Sequence, residues 1–180
     1  MTDILALDIA TTTGWARGIV GTTPKCGSIR FGKDCSESAI FGTALAWASK
    51  MLMPIPRPDM LVMEAMLPGA AMKGETTRAT RDRLAGLHGI IRGVANLRQV
   101  YHIEVVSVGD VRAHFIGVRN MNGRAAKREV MAQCQRMGWP ATDLDAADAC
   151  AVWSYACGII VPETALQVSP LFQRRIAGTT

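Results

Sequence analysis

The sequence predicts an α/β domain built on a five-stranded mixed sheet, three antiparallel strands followed by two parallel ones, flanked by helices. Two observations predict it. Short apolar runs come in the order three strands, helix, strand, helix, strand, helices, with the helical segments marked by apolar residues three to four apart. Gly- and Pro-containing turns separate the first three runs closely enough for a meander, whereas helix-length segments separate the later ones, as parallel pairing requires.

Taken in order, residues 4–8 read as a buried strand and residues 11–14 as a turn into a second strand through Trp15, Ala16, Ile19 and Val20. A turn at 21–24 leads to a third strand through Cys26, Ser28, Ile29 and Phe31. Ser36 or Ser38 caps a helix whose apolar face is Phe41, Leu45, Ala48 and Leu52, ended by the Pro-rich segment 54–58. Residues 59–64 form a short buried strand. A polar loop at 68–83 is followed by a helix marked by Leu84, Leu87, Ile91, Val94 and Leu97. Glycine inside a helix costs up to about 1 kcal/mol, so Gly86, Gly89 and Gly93 are read as places where the sheet or another subunit approaches closely. Residues 103–107 supply the fifth strand, and 109–116, 125–137 and 145–160 the closing helices. Residues 1–162 are expected to form one domain and 163–180 a C-terminal tail.

Composition sets the bounds. A chain of 180 residues buries roughly 70% of its unfolded surface and needs no staples. It is 49% hydrophobic, without a run of the roughly 20 apolar residues that a bilayer span needs, and Asp8 interrupts the first run before it could serve as a leader. The expected location is the cytosol of a bacterium or of a phage-infected cell. The five cysteines make no C-x-x-C pair, which fits neither a disulfide framework nor a zinc site. Net charge is +5 and the pI about 9.2. Lys73, Arg78, Arg81 and Arg83 make one basic cluster and Arg119, Arg124, Lys127 and Arg128 another, a footprint for phosphate backbones. Either cluster alone fits a solvated face equally well.

Four acids carry the chemistry. Asp8 and Glu64 end apolar runs, and Asp145 and Asp148 open an Ala-rich helix three residues apart, on one face. Carboxylates at the tips of separate elements can converge on magnesium, which takes oxygen ligands. Each has a plainer reading: Asp8 as a turn residue, Asp145 and Asp148 as helix-terminal charges. Glu64 resists one, because a turn prefers Asn, Asp or Gly. Asp143, just upstream, reads as a cap and is assigned no metal. His88, His102 and His114 read as fold residues. Trp15 and Trp47 read as core, Trp139 as undecided.

The order of elements, with acids at these places, resembles the ribonuclease H-like superfamily, and within it the RuvC-type Holliday junction resolvases. The resemblance is carried by Leu5-Ala-Leu-Asp8 with Thr13-Gly14-Trp15-Ala16, by Val62-Met63-Glu64, and by the helix from Leu84 to Gly93. Val111-Arg112 through Gly117, Ala126-Lys127-Arg-Glu-Val130 and Asp145-Ala-Ala-Asp-Ala149 complete it. It implies a divergent member that resolves four-way DNA junctions by paired symmetric phosphodiester hydrolysis. Asp8, Glu64, Asp145 and Asp148 would hold two Mg2+ ions, with Mn2+ as a substitute, and leave 5′-phosphate and 3′-hydroxyl products. Lys127 would stand near the scissile phosphate. Thr13, Leu67, Lys73, Arg78, Arg81, Arg124 and Arg128 would contact DNA. A homodimer would supply two matched sites, with the Leu84 to Leu97 helix as its interface. No membrane partner or nucleotide cofactor is expected.

The chain departs from the family pattern after Glu64, where Met66 and Leu67 replace an aromatic wedge, although an apolar wedge can also unstack bases. Two rival readings remain at this stage. YqgF-type nucleases, which process ribosomal RNA, share the opening Asp motif. The run Asp8-Ile-Ala-Thr-Thr-Thr-Gly14 also resembles the first phosphate loop of actin-like ATPases, although these enclose nucleotide between two such domains and this length offers one. A non-catalytic DNA-binding module would leave the acids unexplained.

Overall fold

The computed structural model describes residues 1–33, 35–53, 55–66 and 78–160, the side chains of 159 and 160 excepted. The strands are β1 (Asp3–Asp8), β2 (Thr12–Ile19), β3 (Lys25–Arg30), β4 (Met60–Glu64) and β5 (His102–Val106). The helices are α1 (Glu37–Met51), α2 (Arg78–Leu97), α3 (Val108–Ile116), α4 (Gly123–Arg136) and α5 (Leu144–Ile160). The sheet order is β3-β2-β1-β4-β5, with β1–β2 and β2–β3 antiparallel and β1–β4 and β4–β5 parallel, as expected from the sequence.

The period of two along β1 divides the core. Ile4 and Ala6 face the layer of α3, α4 and α5, and Leu5 and Leu7 face the layer of α1 and α2. Met60 and Val62 of β4 repeat the division against Leu61 and Met63. Both faces are buried, so the central strands are apolar throughout rather than alternating. Helix α5 is buried along most of its circumference because alanines at 146, 147, 149, 151 and 156 let it lie between the sheet and α3 and α4. Trp139 belongs to this layer, stacked on Phe115 and edge-on to Trp153.

Several local expectations shift. Thr12, Thr13 and Gly14 belong to β2 rather than to the turn, because Gly14 pairs with Asp8 of β1 and Thr12 and Thr13 pair with Arg30 and Ile29 of β3. The buried face of α1 is Ile40, Ala44 and Ala48, and Leu45 is half exposed. That helix carries apolar residues nearly all round, so its period leaves the face ambiguous until α2 docks beside it. Helix α2 starts at Arg78, so the basic residues 78, 81 and 83 lie on its first turns rather than in a loop. Its buried face includes His88 and Ala95, while Leu97 is exposed. The segment 163–180 lies outside the described residues. Cysteines 26, 35, 134, 150 and 157 are free thiols. No helix is long and apolar enough to cross a membrane among the described residues.

Candidate functional site

The parallel register sets Leu7 beside Met63, so the next residues, Asp8 and Glu64, end neighbouring strands side by side. By strand periodicity both fall on the face covered by α5. The start of α5 lies over them. Asp143 caps this helix as expected, its Oδ1 accepting the N–H groups of Asp145 at 3.1 Å and Ala146 at 2.9 Å. Asp145 follows in the first turn and Asp148 at the start of the second, three residues on and on the same face. One carboxylate oxygen from each of Asp8, Asp145 and Asp148 lies within 4.8 Å of the others. Glu64 lines the same cleft, of about 190 Å3, together with Arg112 of α3 and Lys127 of α4.

The electrostatics follow from burial and crowding. Four carboxyl groups face two cations in the cleft. Burial, then the charge of Asp148, pushes Asp8 up to about 7. Burial, then Asp8 and Asp148, pushes Glu64 up to about 8. Burial also raises Asp148, against the pull of Lys127. Lys127 Nζ donates to Asp145 Oδ1 at 2.8 Å and Asp148 Oδ2 at 2.9 Å. Burial draws the Lys127 pKa down, but those two bonds more than offset it and hold the ammonium charged.

This donor set fits a hard divalent cation: oxygen ligands from separate rigid elements, crowded enough to hold two carboxyls against ionisation, and an ammonium already drawn to hydrogen-bond distance of two of the acids. The four acids and Lys127 are therefore brought together. The other predicted residues are not. Thr13 is fully buried, and its hydroxyl donates to the Ala10 carbonyl at 2.6 Å and accepts the Ala10 N–H at 3.2 Å, so it braces the β1–β2 turn instead of facing DNA. Arg124 and Arg128 are exposed on α4 outside the cleft. Arg78 and Arg81 are exposed on α2, each near Asp82. Leu67 and Lys73 lie outside the described residues.

Sequence reasoning missed Arg112 as a site residue. Its guanidinium draws Asp8, Glu64 and Asp148 toward their charged forms. The signal was its position just after β5: in open sheets, residues beyond the carboxyl ends of parallel strands converge on the ligand crevice.

No protein-family model matches the chain, and no curated protein matches it at a significant level. Solved structures do. RuvC of Thermus thermophilus in complex with a Holliday junction substrate superposes with a TM-score of 0.69 at 12% identity, covering 89% of this chain and 96% of that one. A second Thermus thermophilus RuvC structure gives 0.67 at 14% identity, covering 89% and 97%. The yeast mitochondrial Holliday junction resolvase Ydc2 gives 0.57 at 11% identity, covering 92% and 84%. These likenesses establish the fold as that of RuvC, a ribonuclease H-like fold.

Proposed function

We propose that the chain is a divalent-metal-dependent endonuclease that resolves four-way DNA junctions by paired, symmetric phosphodiester hydrolysis. The observation that carries this reading is the convergence of Asp8, Asp145 and Asp148, with Glu64 beside them, at the carboxyl ends of β1 and β4 on a RuvC-like fold. The superposed Thermus thermophilus protein holds a Holliday junction substrate, which supports branched DNA as the substrate class.

Asp8, Glu64, Asp145 and Asp148 would hold magnesium, which supplies water activation and stabilisation of the leaving oxygen. Asp8 and Glu64, protonated up to about 7 and 8 in the metal-free site, must lose their protons to act as ligands, so affinity for the cation rises with pH. Lys127 and Arg112 border the acids and would offset the charge that develops on phosphate oxygens. The exposed guanidiniums at Arg78, Arg81, Arg124 and Arg128 would grip the strands by sequence-independent phosphate contacts. Met66, about two-fifths exposed just beyond Glu64, offers an apolar side chain for unstacking bases at the junction centre.

The test is cleavage of an immobile four-way junction beside a matched linear duplex and a splayed fork in Mg2+, with Asp8→Asn as the blank. Paired symmetric nicks confined to the junction and absent from the variant are expected. Equal cutting of all three substrates would remove the junction preference, and activity surviving in Asp8→Asn would remove the metal centre.

A further inference from the structure

Helix α5 is seated on a row of residues that crosses the sheet. Asp8 pairs with Gly14 between β1 and β2, and Gly14 pairs with Ser28 between β2 and β3. Directly paired residues present their side chains to the same face, so the row passes beneath the first turn of α5. A Cβ added at Gly14 would overlap the backbone carbonyl of Asp145 and press on the Ala146 nitrogen. Glycine is needed there by that contact alone, since backbone of this helix cannot yield as a flexible side chain could. At the far end of the row, Ser28 Oγ donates to Asp143 Oδ2 at 2.9 Å. The other oxygen of the same carboxylate caps the helix by accepting from Asp145 and Ala146. Asp143 thus ties β3 to the helix end.

We propose that Gly14, Ser28 and Asp143 are positioning residues that fix the height of the first turn of α5, and so the convergence of Asp145 and Asp148 with Asp8. This rests on the reading of the acids as a metal centre. The remainder of α5 has its own anchors, including Trp153 Nε1 donating to the Gly18 carbonyl at 3.3 Å and the buried alanines at 147, 149 and 151. Loosening the Ser28–Asp143–Gly14 seat therefore displaces the helix end that carries Asp145 and Asp148 while the rest of the helix stays docked. A metal site tolerates ligand displacements of only about 0.2 Å, so affinity for the cation responds before global stability does.

The experiment compares Ser28→Ala, Ser28→Thr and Gly14→Ala with Gly42→Ala, a helix glycine whose added Cβ meets nothing within 4 Å. Mn2+ affinity is measured calorimetrically on DNA-free protein, alongside kcat and KM for junction cleavage and thermal melting. Ser28→Ala should weaken Mn2+ binding and kcat each by about tenfold, the size usual for partners that orient metal ligands, while KM for the junction holds. Ser28→Thr, which keeps the hydroxyl, should restore both, and Gly14→Ala should lose more than Ser28→Ala. Wild-type Mn2+ affinity in both Ser28→Ala and Gly14→Ala would overturn the proposal. If the wild-type protein itself neither binds Mn2+ nor cuts, the metal-centre reading falls, and this proposal with it.

Discussion

Asp8 is placed where its own charge is disfavoured, and that has a measurable consequence. In an unfolded chain Asp8 and Glu64 ionise near 4, but in the fold they keep their protons to about 7 and 8. Stability from these groups is full below about 4 and is lost as pH rises toward 7 and 8, because the unfolded chain then binds fewer protons. Asp8→Asn removes that loss. In chelator at pH 8 the variant should be more stable than wild type, by up to roughly 4 kcal/mol for a pKa lifted from near 4 to about 7, a Tm higher by several degrees, and the gap should narrow at pH 5 and close below about pH 4. Added Mg2+ should raise the Tm of wild type far more than that of the variant. Equal melting curves at pH 8 would show that Asp8 is not held against its charge. The acids were legible as a set, because Asp8 and Glu64 end apolar runs and Asp145 and Asp148 open an Ala-rich helix on one face; singly, all but Glu64 have a structural reading. Arg112 was not, because an arginine on a short amphipathic helix looks like any solvated residue until β5 is set next to β4.

At the scale of elements, two helices carry cations in different settings, α4 within the cleft and α2 on the surface outside it. Lys127 of α4 is about one-third exposed and bonded to two of the acids, so its charge lies within the candidate site. Helix α2 runs back from the end of β4 toward the start of β5, which places its first turns at the same end of the sheet as the acids. Arg78 there is almost fully exposed and faces Asp82 at 3.6 Å, a surface pairing too weak to compete with phosphate. Lys127→Ala should therefore lower kcat with little change in junction affinity. Arg78→Ala should weaken binding and reduce the slope of log affinity against log salt by about 1, with kcat retained. Equal losses of binding and turnover in the two variants would erase the distinction. Element existence was legible because caps and turns agreed with periodicity, as at Ser36, whose side chain accepts the Ala39 N–H. The face of α1 was not, since a helix apolar on most sides takes its orientation from its neighbour: Phe41 lies against Gly86 of α2, where a Cβ would collide with its ring.

For the whole molecule, the sheet order follows from one constraint that is readable in the chain. Closely spaced turns make β1, β2 and β3 a meander, and the helical crossovers put β4 and β5 parallel on the other side of β1. The proposed function adds a requirement: the described residues of one chain bring one acidic cleft to this end of the sheet, whereas two symmetric incisions would need two. Under the proposed function a two-fold dimer would supply them, and the helix glycines would mark its face. Gly86 is accounted for inside the chain by Phe41, but Gly89 and Gly93 are exposed one turn apart on α2 with nothing within 4 Å of an added Cβ, and Leu97 is exposed one turn beyond. Interior glycines destabilise a helix by about 1 kcal/mol each, so replacing Gly93 with Glu should favour α2 in the isolated chain while placing charge on the face a second copy would cover. Wild type should sediment as a dimer at micromolar concentration. Gly93→Glu should sediment as a monomer with an unchanged or higher Tm, and should convert paired junction nicks into unpaired single nicks. A monomeric wild type that still makes paired nicks would remove the dimer from the mechanism, and a Gly93→Glu variant that remains dimeric would move the interface off this face of α2.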